Sequence, residues 1–182
     1  MNAITVKEYI SYLSGAYLFF ELLRFDYSVK KQLNSPRKIY IIDTAFSAIS
    51  GFSLSPDKGR ILENIVFIEL KRRGGEIFYF AGDRECDFII KDKKKIIGAI
   101  QVCYEFTKEN MDRETVGLLK AMTEFKLTEA LILTYDHEDI LKTDEKTIII
   151  KPVWKWLIEK VPQSPGEDDK NYPPGSPTSD IQ

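Results

Sequence analysis

Glu63, Asp87, Gln101 and Cys103 are the side chains whose types and spacing could carry chemistry. In "LENIVFIELKRRGG" successive residues advance about 100° around a helix axis. Glu63 then falls between Leu70 and Phe67, with Val66 on its other flank. A carboxylate among such neighbours is costly unless it is paired or faces a cation. Glu69 is flanked in the same way by Leu62 and Ile65, and either acid could pair with Arg60, Arg72 or Arg73. In "ECDFIIK" strand alternation sets Glu85, Asp87 and Ile89 on one face and Phe88 and Ile90 on the other. In "GAIQVCYE" Ala99, Gln101 and Cys103 share a face, with the amide and the thiol about 7 Å apart. A buried amide needs hydrogen-bond partners, and Glu63 and Asp87 are the natural ones. Asp87, the Gln101 side-chain oxygen, the Val102 carbonyl and Glu63, directly or through water, could hold Mg2+ or Mn2+ among oxygens. A metal there would polarise a phosphodiester and lower the pKa of an attacking water.

The elements that must position these groups are readable. "TVKE" at 5–8 fits a capping box ahead of a helix that stops at Gly15. "YLFFELLRFDYSVKKQL" suits two strands joined near 26–28, and "RKIYIID" suits a strand that ends at Asp43. Asp43 can cap a short helix through Ile49, with Gly51 after it. For the long helix Ser55 is the expected N-cap, Pro56 its first residue and Gly74 its end. Three strands follow in "EIFYFAG", "ECDFIIK" and "KIIGAIQVCYE". A helix over 112–125 comes next, with Val116, Leu119, Met122 and Phe125 on one face. "EALILTYD" and "TIIIKPV" are strands and "WKWLIEK" a last short helix, with one tryptophan in the core and the other at the rim. This order predicts an α/β fold, a central mixed sheet flanked by helices.

Bulk composition narrows the classes. The chain has 182 residues, 43% of them hydrophobic, enough for a core without staples. A net charge of -2 gives no global pull toward nucleic acid or anionic membrane. Two cysteines, Cys86 and Cys103, and one histidine, His137 in the polar loop "YDHED", exclude a four-ligand zinc site of the usual type. Both cysteines read as reduced thiols. The apolar run 9–20 is too short to span a bilayer and lacks a basic lead-in, so a cytoplasmic protein is expected. "KRR" at 71–73 and "KDKKK" at 91–95 read by default as solvated faces. The sharper reading is a phosphate-tracking edge beside the acids, using Lys71, Arg72, Arg73, Lys93, Lys94, Lys95 and Arg113.

"PRKIYIID", "LENIVFIELKRRG", "ECDFII", "IQVCYE", "RETVGLLKA", "LILT" and "PVWKWL", in this order, resemble the PD-(D/E)XK nuclease superfamily. More closely they resemble the C-terminal domain, of unknown function, of archaeal and bacterial AAA+-type ATPases. The resemblance covers residues 1 to 160 and implies a restriction-endonuclease-like core. It matches Glu63 to the helix acid of the nuclease motif, Asp87 to the strand acid and Gln101 to the position of Glu or, less often, Gln. Cys103 stands where the motif has its lysine. A neutral thiol cannot supply the charge that lysine would aim at the scissile phosphate, a loss of ~100- to 1,000-fold in rate. Lys94, Lys95 and Arg113 are candidates to replace it. No G-x-x-x-x-G-K-[ST] occurs, so the chain carries no ATP site.

Residues 1–33 accordingly read as a partial winged-helix remnant that cannot close its own core, 34–160 as the nuclease-like domain and 161–182 as a proline-rich, acidic, disordered tail. Two functions stand side by side. One is a nuclease-like module, associated with nucleic acid or a partner, with weak or no cleavage. The other is a divalent-metal-dependent DNA endonuclease using Glu63, Asp87 and Gln101. The Cys103 departure favours the first. The partner classes left open are DNA, a P-loop ATPase chain and a second copy of this chain, with no membrane.

Overall fold

The computed structural model describes residues 3–45, 57–82, 84–143 and 145–159. The expected cap at Ser55, the turn at Gly51 and the tail from 161 onward lie outside these residues, as does all but the start of the short helix after Asp43. The elements are α1 (Ala3–Gly15), β1 (Phe19–Leu22), α2 (Val29–Asn34), β2 (Lys38–Ile41), α3 (Lys58–Arg73), β3 (Glu76–Ala81), β4 (Glu85–Asp92), β5 (Lys95–Val102), α4 (Met111–Phe125), β6 (Glu129–Thr134), β7 (Asp139–Thr143), β8 (Lys146–Pro152) and α5 (Val153–Ile158). Six strands form one mixed sheet in the order β3-β4-β5-β6-β8-β7. Pairings β5–β6 and β6–β8 are parallel and the others antiparallel. The expected α/β class is present, and no helix among the described residues is long and apolar enough to cross a membrane.

Two cores lie on the two faces of the sheet. On one, α3, α5 and the β1–β2 ribbon enclose Leu62, Val66, Phe67, Tyr40, Phe88, Ile100 and Trp156. On the other, α4 packs Leu118, Ala121 and Met122 against Cys86, Ile89, Ala99 and Ile132. Gly117 sets the approach of α4. A Cβ built there would lie 1.9 Å from the Glu85 carbonyl oxygen. The helix therefore turns residues 114, 115, 117, 118, 121 and 122 inward, while Val116, Leu119 and Phe125 of the expected stripe are only partly buried.

Several local expectations change. Ala3 already lies in α1, so Thr5 is inside the helix and not its cap. Residues 29–34 are helix, not strand, because the Ser28 hydroxyl caps α2 at Lys31 N. The antiparallel partner of β1 is instead β2. This ribbon joins the first 33 residues to the rest of the chain, and residues 23–25 run along the free edge of β3 through Phe25 N to Tyr79 O and Tyr79 N to Leu23 O. Asp57 caps α3, accepting from Arg60 N. The edge strand β7 was not foreseen, since "DILKT" shows neither a β-former run nor alternation. Trp156 is buried and Trp154 exposed, as read from the sequence. His137 is exposed and stacks on Phe106.

Candidate functional site: a lysine ringed by three carboxylates

Asn64 begins the construction. Its amide accepts from Ile41 N and donates to Ile41 O, clamping β2 to α3. Strand alternation then points Lys38 and Tyr40 together at the helix face that bears Glu63. The Tyr40 ring stacks on Phe67 with centroids 4.1 Å apart, and its hydroxyl donates to Glu63 Oε1 at 2.6 Å. Burial, then the nearby carboxylates, push the Tyr40 phenol far up, so it remains a neutral donor.

Lys38 Nζ lies 2.9 Å from Glu63 Oε1, 2.9 Å from Asp87 Oδ1 and 2.7 Å from Glu85 Oε1. The ammonium donates to Glu63 and Asp87, and Glu85 completes the ring as an ion pair. Burial alone would lower the Lys38 pKa, but Asp87, Glu63 and Glu85 together outweigh it and hold the ammonium charged. The ring opens outward: the Asp87 side chain is 10% exposed, Glu63 21% and Glu85 47%. One cation against three anions leaves excess negative charge. Burial, and next the Glu63 charge, raise Asp87 to about 6, although Lys38 and the Val102 amide pull the other way.

Glu63 and Asp87 thus meet at one ammonium, on the α3 face of the sheet. The β4–β5 ladder begins only at Phe88–Ile100, so the chain splays before it. Asp87 Oδ2 accepts from Val102 N at 2.9 Å in place of a ladder bond. Gln101 points the other way. Its oxygen accepts from Asp87 N at 3.3 Å, and its Nε2 donates to Glu114 Oε2 on α4 at 3.4 Å. The amide in this strand holds the Asp87 backbone from behind and does not enter the ring. Cys103 also lies on the α4 side, its thiol donating to Glu105 O. Burial, then the Glu114 charge, push it up to about 11, so it stays protonated. Cys86 is a free thiol like Cys103, buried and pushed up further by desolvation.

These donors do not fit a metal ion as they stand. The Glu63, Asp87 and Gln101 oxygens that point inward are taken by Lys38, Tyr40, Val102 N and Asp87 N. Among the described residues no group of three or more His, Cys, Asp and Glu is arranged to hold a metal. Lys38 was missed from the sequence. The signal was there in "RKIYIID", where a lysine sits two residues before a tyrosine and so shares its strand face. From the sequence Glu85 shows only that it shares the face of Asp87.

The basic clusters gather elsewhere. Glu76 pairs with Lys91, so the end of α3 and the β4–β5 turn share the sheet end opposite Asp87. Lys93, just past the end of β4, is six positions along the chain from Asp87, at most about 20 Å. Arg72 and Arg73 both bond Glu69, whose pKa falls chiefly because Arg72 donates to it. Arg73 also donates to Trp156 O and lies over that indole at 4.1 Å. Lys71, Lys93, Lys94 and Lys95 lie at this same end. Arg113 is at the site's end but pairs with Glu114 on the α4 face.

A pH prediction follows from Asp87. Its folded pKa is above its unfolded value near 3.9, so between those values the folded state binds more protons. Its contribution is fully present below the unfolded pKa and is lost as pH rises through about 6. In Asp87→Asn that loss disappears. Urea midpoints at about pH 4.5 and 6.5 should fall less steeply for the variant than for the parent. An unchanged slope would mean that Asp87 titrates normally.

The family model described as "Domain of unknown function (DUF4143)" matches residues 58–156, from the first residue of α3 into α5. An uncharacterized protein of Methanocaldococcus jannaschii is 40% identical over 164 residues, which is 84% of this chain and 36% of that protein. An uncharacterized protein of Haemophilus influenzae is 28% identical over 156 residues, 85% of this chain and 37% of its own length. The chain therefore spans little more than a third of the curated relatives it matches. No solved structure matches. The match over more than half of its length makes this chain a member of the DUF4143 family.

Proposed function

We propose that this chain is a nuclease-like module that binds without cleaving, and that it serves a larger P-loop ATPase assembly of the AAA+ type. The reading rests on Lys38. Its ammonium sits where Glu63 and Asp87 converge, bonded to both and to Glu85. A built-in cation there satisfies the acids that a nuclease would turn on a metal, and Cys103, protonated and on the other face, brings no charge to replace the motif lysine. The basic residues lie away from the acids or are spent on Glu69 and Glu114, which further weakens a phosphate track through the site. The restriction-endonuclease-like core and a cytoplasmic location belong to the same reading, and so does contact with DNA at the distant basic end.

Lys38 also favours a second reading, a DNA endonuclease in which β2 supplies the positive charge missing from β5. A plasmid-nicking assay with Mg2+ and with Mn2+ separates the two. The expected result is that the wild type nicks no faster than Asp87→Ala. Nicking that vanishes in Asp87→Ala and in Lys38→Met would establish cleavage and overturn the silent reading. Nicking that survives both substitutions belongs to a contaminant.

A further inference from the structure

α1 carries an apolar stripe that the rest of the described chain covers only in part: Ile10 and Leu13 are half-buried, Val6 and Tyr9 exposed. Val6, Tyr9, Ile10 and Leu13 fall within about a third of its circumference. Such a stripe normally faces a core, yet no described side chain of α1 is fully buried, and Val6 and Tyr9 are 40% and 56% exposed. Tyr12 on α1 and Tyr17 in the turn after it are 72% and 73% exposed. α1 leads directly into the β1–β2 ribbon, with Leu18 N donating to Leu13 O and Ile42 N to Leu18 O. That ribbon turns Phe20, Leu22 and Tyr40 to the core, which leaves Ile39 on its outer side, 41% exposed. Of the fifteen large apolar side chains exposed among the described residues, six belong to α1, the turn after it and the β1–β2 ribbon with its end: Val6, Tyr9, Tyr12, Tyr17, Ile39 and Ile42. Scattered apolar residues need no explanation, but a concentration of this kind marks an interface. Tyrosines suit one, since each offers a broad ring and a hydroxyl that stays hydrogen-bonded.

We infer that the α1 face and the outer side of the β1–β2 ribbon are the docking surface for a second folded domain, of the kind that makes up the remaining length of the relatives. Both relatives devote nearly two-thirds of their length to polypeptide beyond the stretch this chain matches. The sheet domain itself is closed by α3, α4 and α5, so the uncovered apolar surface is concentrated on the elements before α3. A folded protein surface with apolar side chains and backbone acceptors fits Val6, Tyr9 and Ile39 together with the hydroxyls of Tyr12 and Tyr17. The inference gives the proposed module its contact surface and rests on that proposal for the larger assembly. Its failure would leave the silence of the Lys38 site to be judged by the nicking assay alone.

Hydroxyl-radical footprinting read by mass spectrometry tests it, applied to this chain and to the full-length Methanocaldococcus relative. In this chain Tyr9, Tyr12 and Tyr17 should oxidise severalfold faster than the buried Tyr40 and Tyr79. In the full-length relative the apolar side chains of the segment aligned with residues 6–39 should be protected severalfold against that rate. Equal rates in the two proteins would overturn the inference. So would sedimentation velocity showing that this chain self-associates with those tyrosines protected, which would make a second copy the occupant.

Discussion

Lys38→Met lowers the stability of the folded chain by about 3 kcal/mol near neutral pH. The methionine keeps the length of the side chain but removes the charge, and three carboxylates then face one another with no cation among them. Truncating one partner of a buried ion pair typically costs about 3–5 kcal/mol, and the lower end applies because Glu85 is half-exposed and stays hydrated. The loss depends on pH. Asp87 already titrates at about 6 with Lys38 in place, and without the ammonium it rises further. An acid whose folded pKa is raised stabilises fully below its unfolded pKa and loses that contribution as pH rises through the folded one. The deficit of the variant should therefore be small near pH 5 and largest near pH 8. Urea unfolding at the two pH values measures it. A deficit below about 1 kcal/mol at both would assign Lys38 the small energy of a surface pair.

Gly117→Ala should destabilise by about 2–3 kcal/mol, although alanine in a helix interior normally gains about 1 kcal/mol over glycine. The added methyl would meet the Glu85 carbonyl oxygen at 1.9 Å and its carbon at 2.7 Å. Neither atom belongs to a flexible side chain, so α4 or the start of β4 must shift. A shift of β4 also moves Glu85 within the ring around Lys38. Gly15→Ala is the control, since a Cβ there meets nothing within 4 Å. Thermal or urea midpoints should separate the two variants clearly. A neutral Gly117→Ala would mean that α4 does not pack against β4 this closely.

What was legible in the chain was what periodicity encodes. The long helix ends at Gly74 as its residues announce, and the first two following strands match within a residue, while the third stops at Val102, three residues short of the expected run through Glu105. Gln101 and Cys103 share a face as alternation requires, but that face belongs to α4, and no local pattern says which helix covers which side. Asp87 escapes its alternation with Ile89 because β4 bulges between them, Phe78 pairing with Ile89 but Phe80 with Cys86, and its carboxylate then takes the free Val102 amide. Lys38 was hidden for a different reason. It is 49 residues from Asp87 and 25 from Glu63, and it reaches them through long-range packing of β2 on α3, the Asn64 clamp on Ile41 and the Tyr40–Phe67 stack. The serine cap of α2 was also readable in principle, but the apolar run before it suggested a hairpin.

Titration calorimetry of Mn2+ into the wild type and into Lys38→Met, side by side at neutral pH, tests most directly whether a lysine holds the place of a metal. With the ammonium present no saturable binding is expected. With it removed, the three carboxylates should take up one Mn2+, and the ion should restore part of the lost stability. Saturable one-to-one binding to the wild type that disappears in Asp87→Ala would contradict the account.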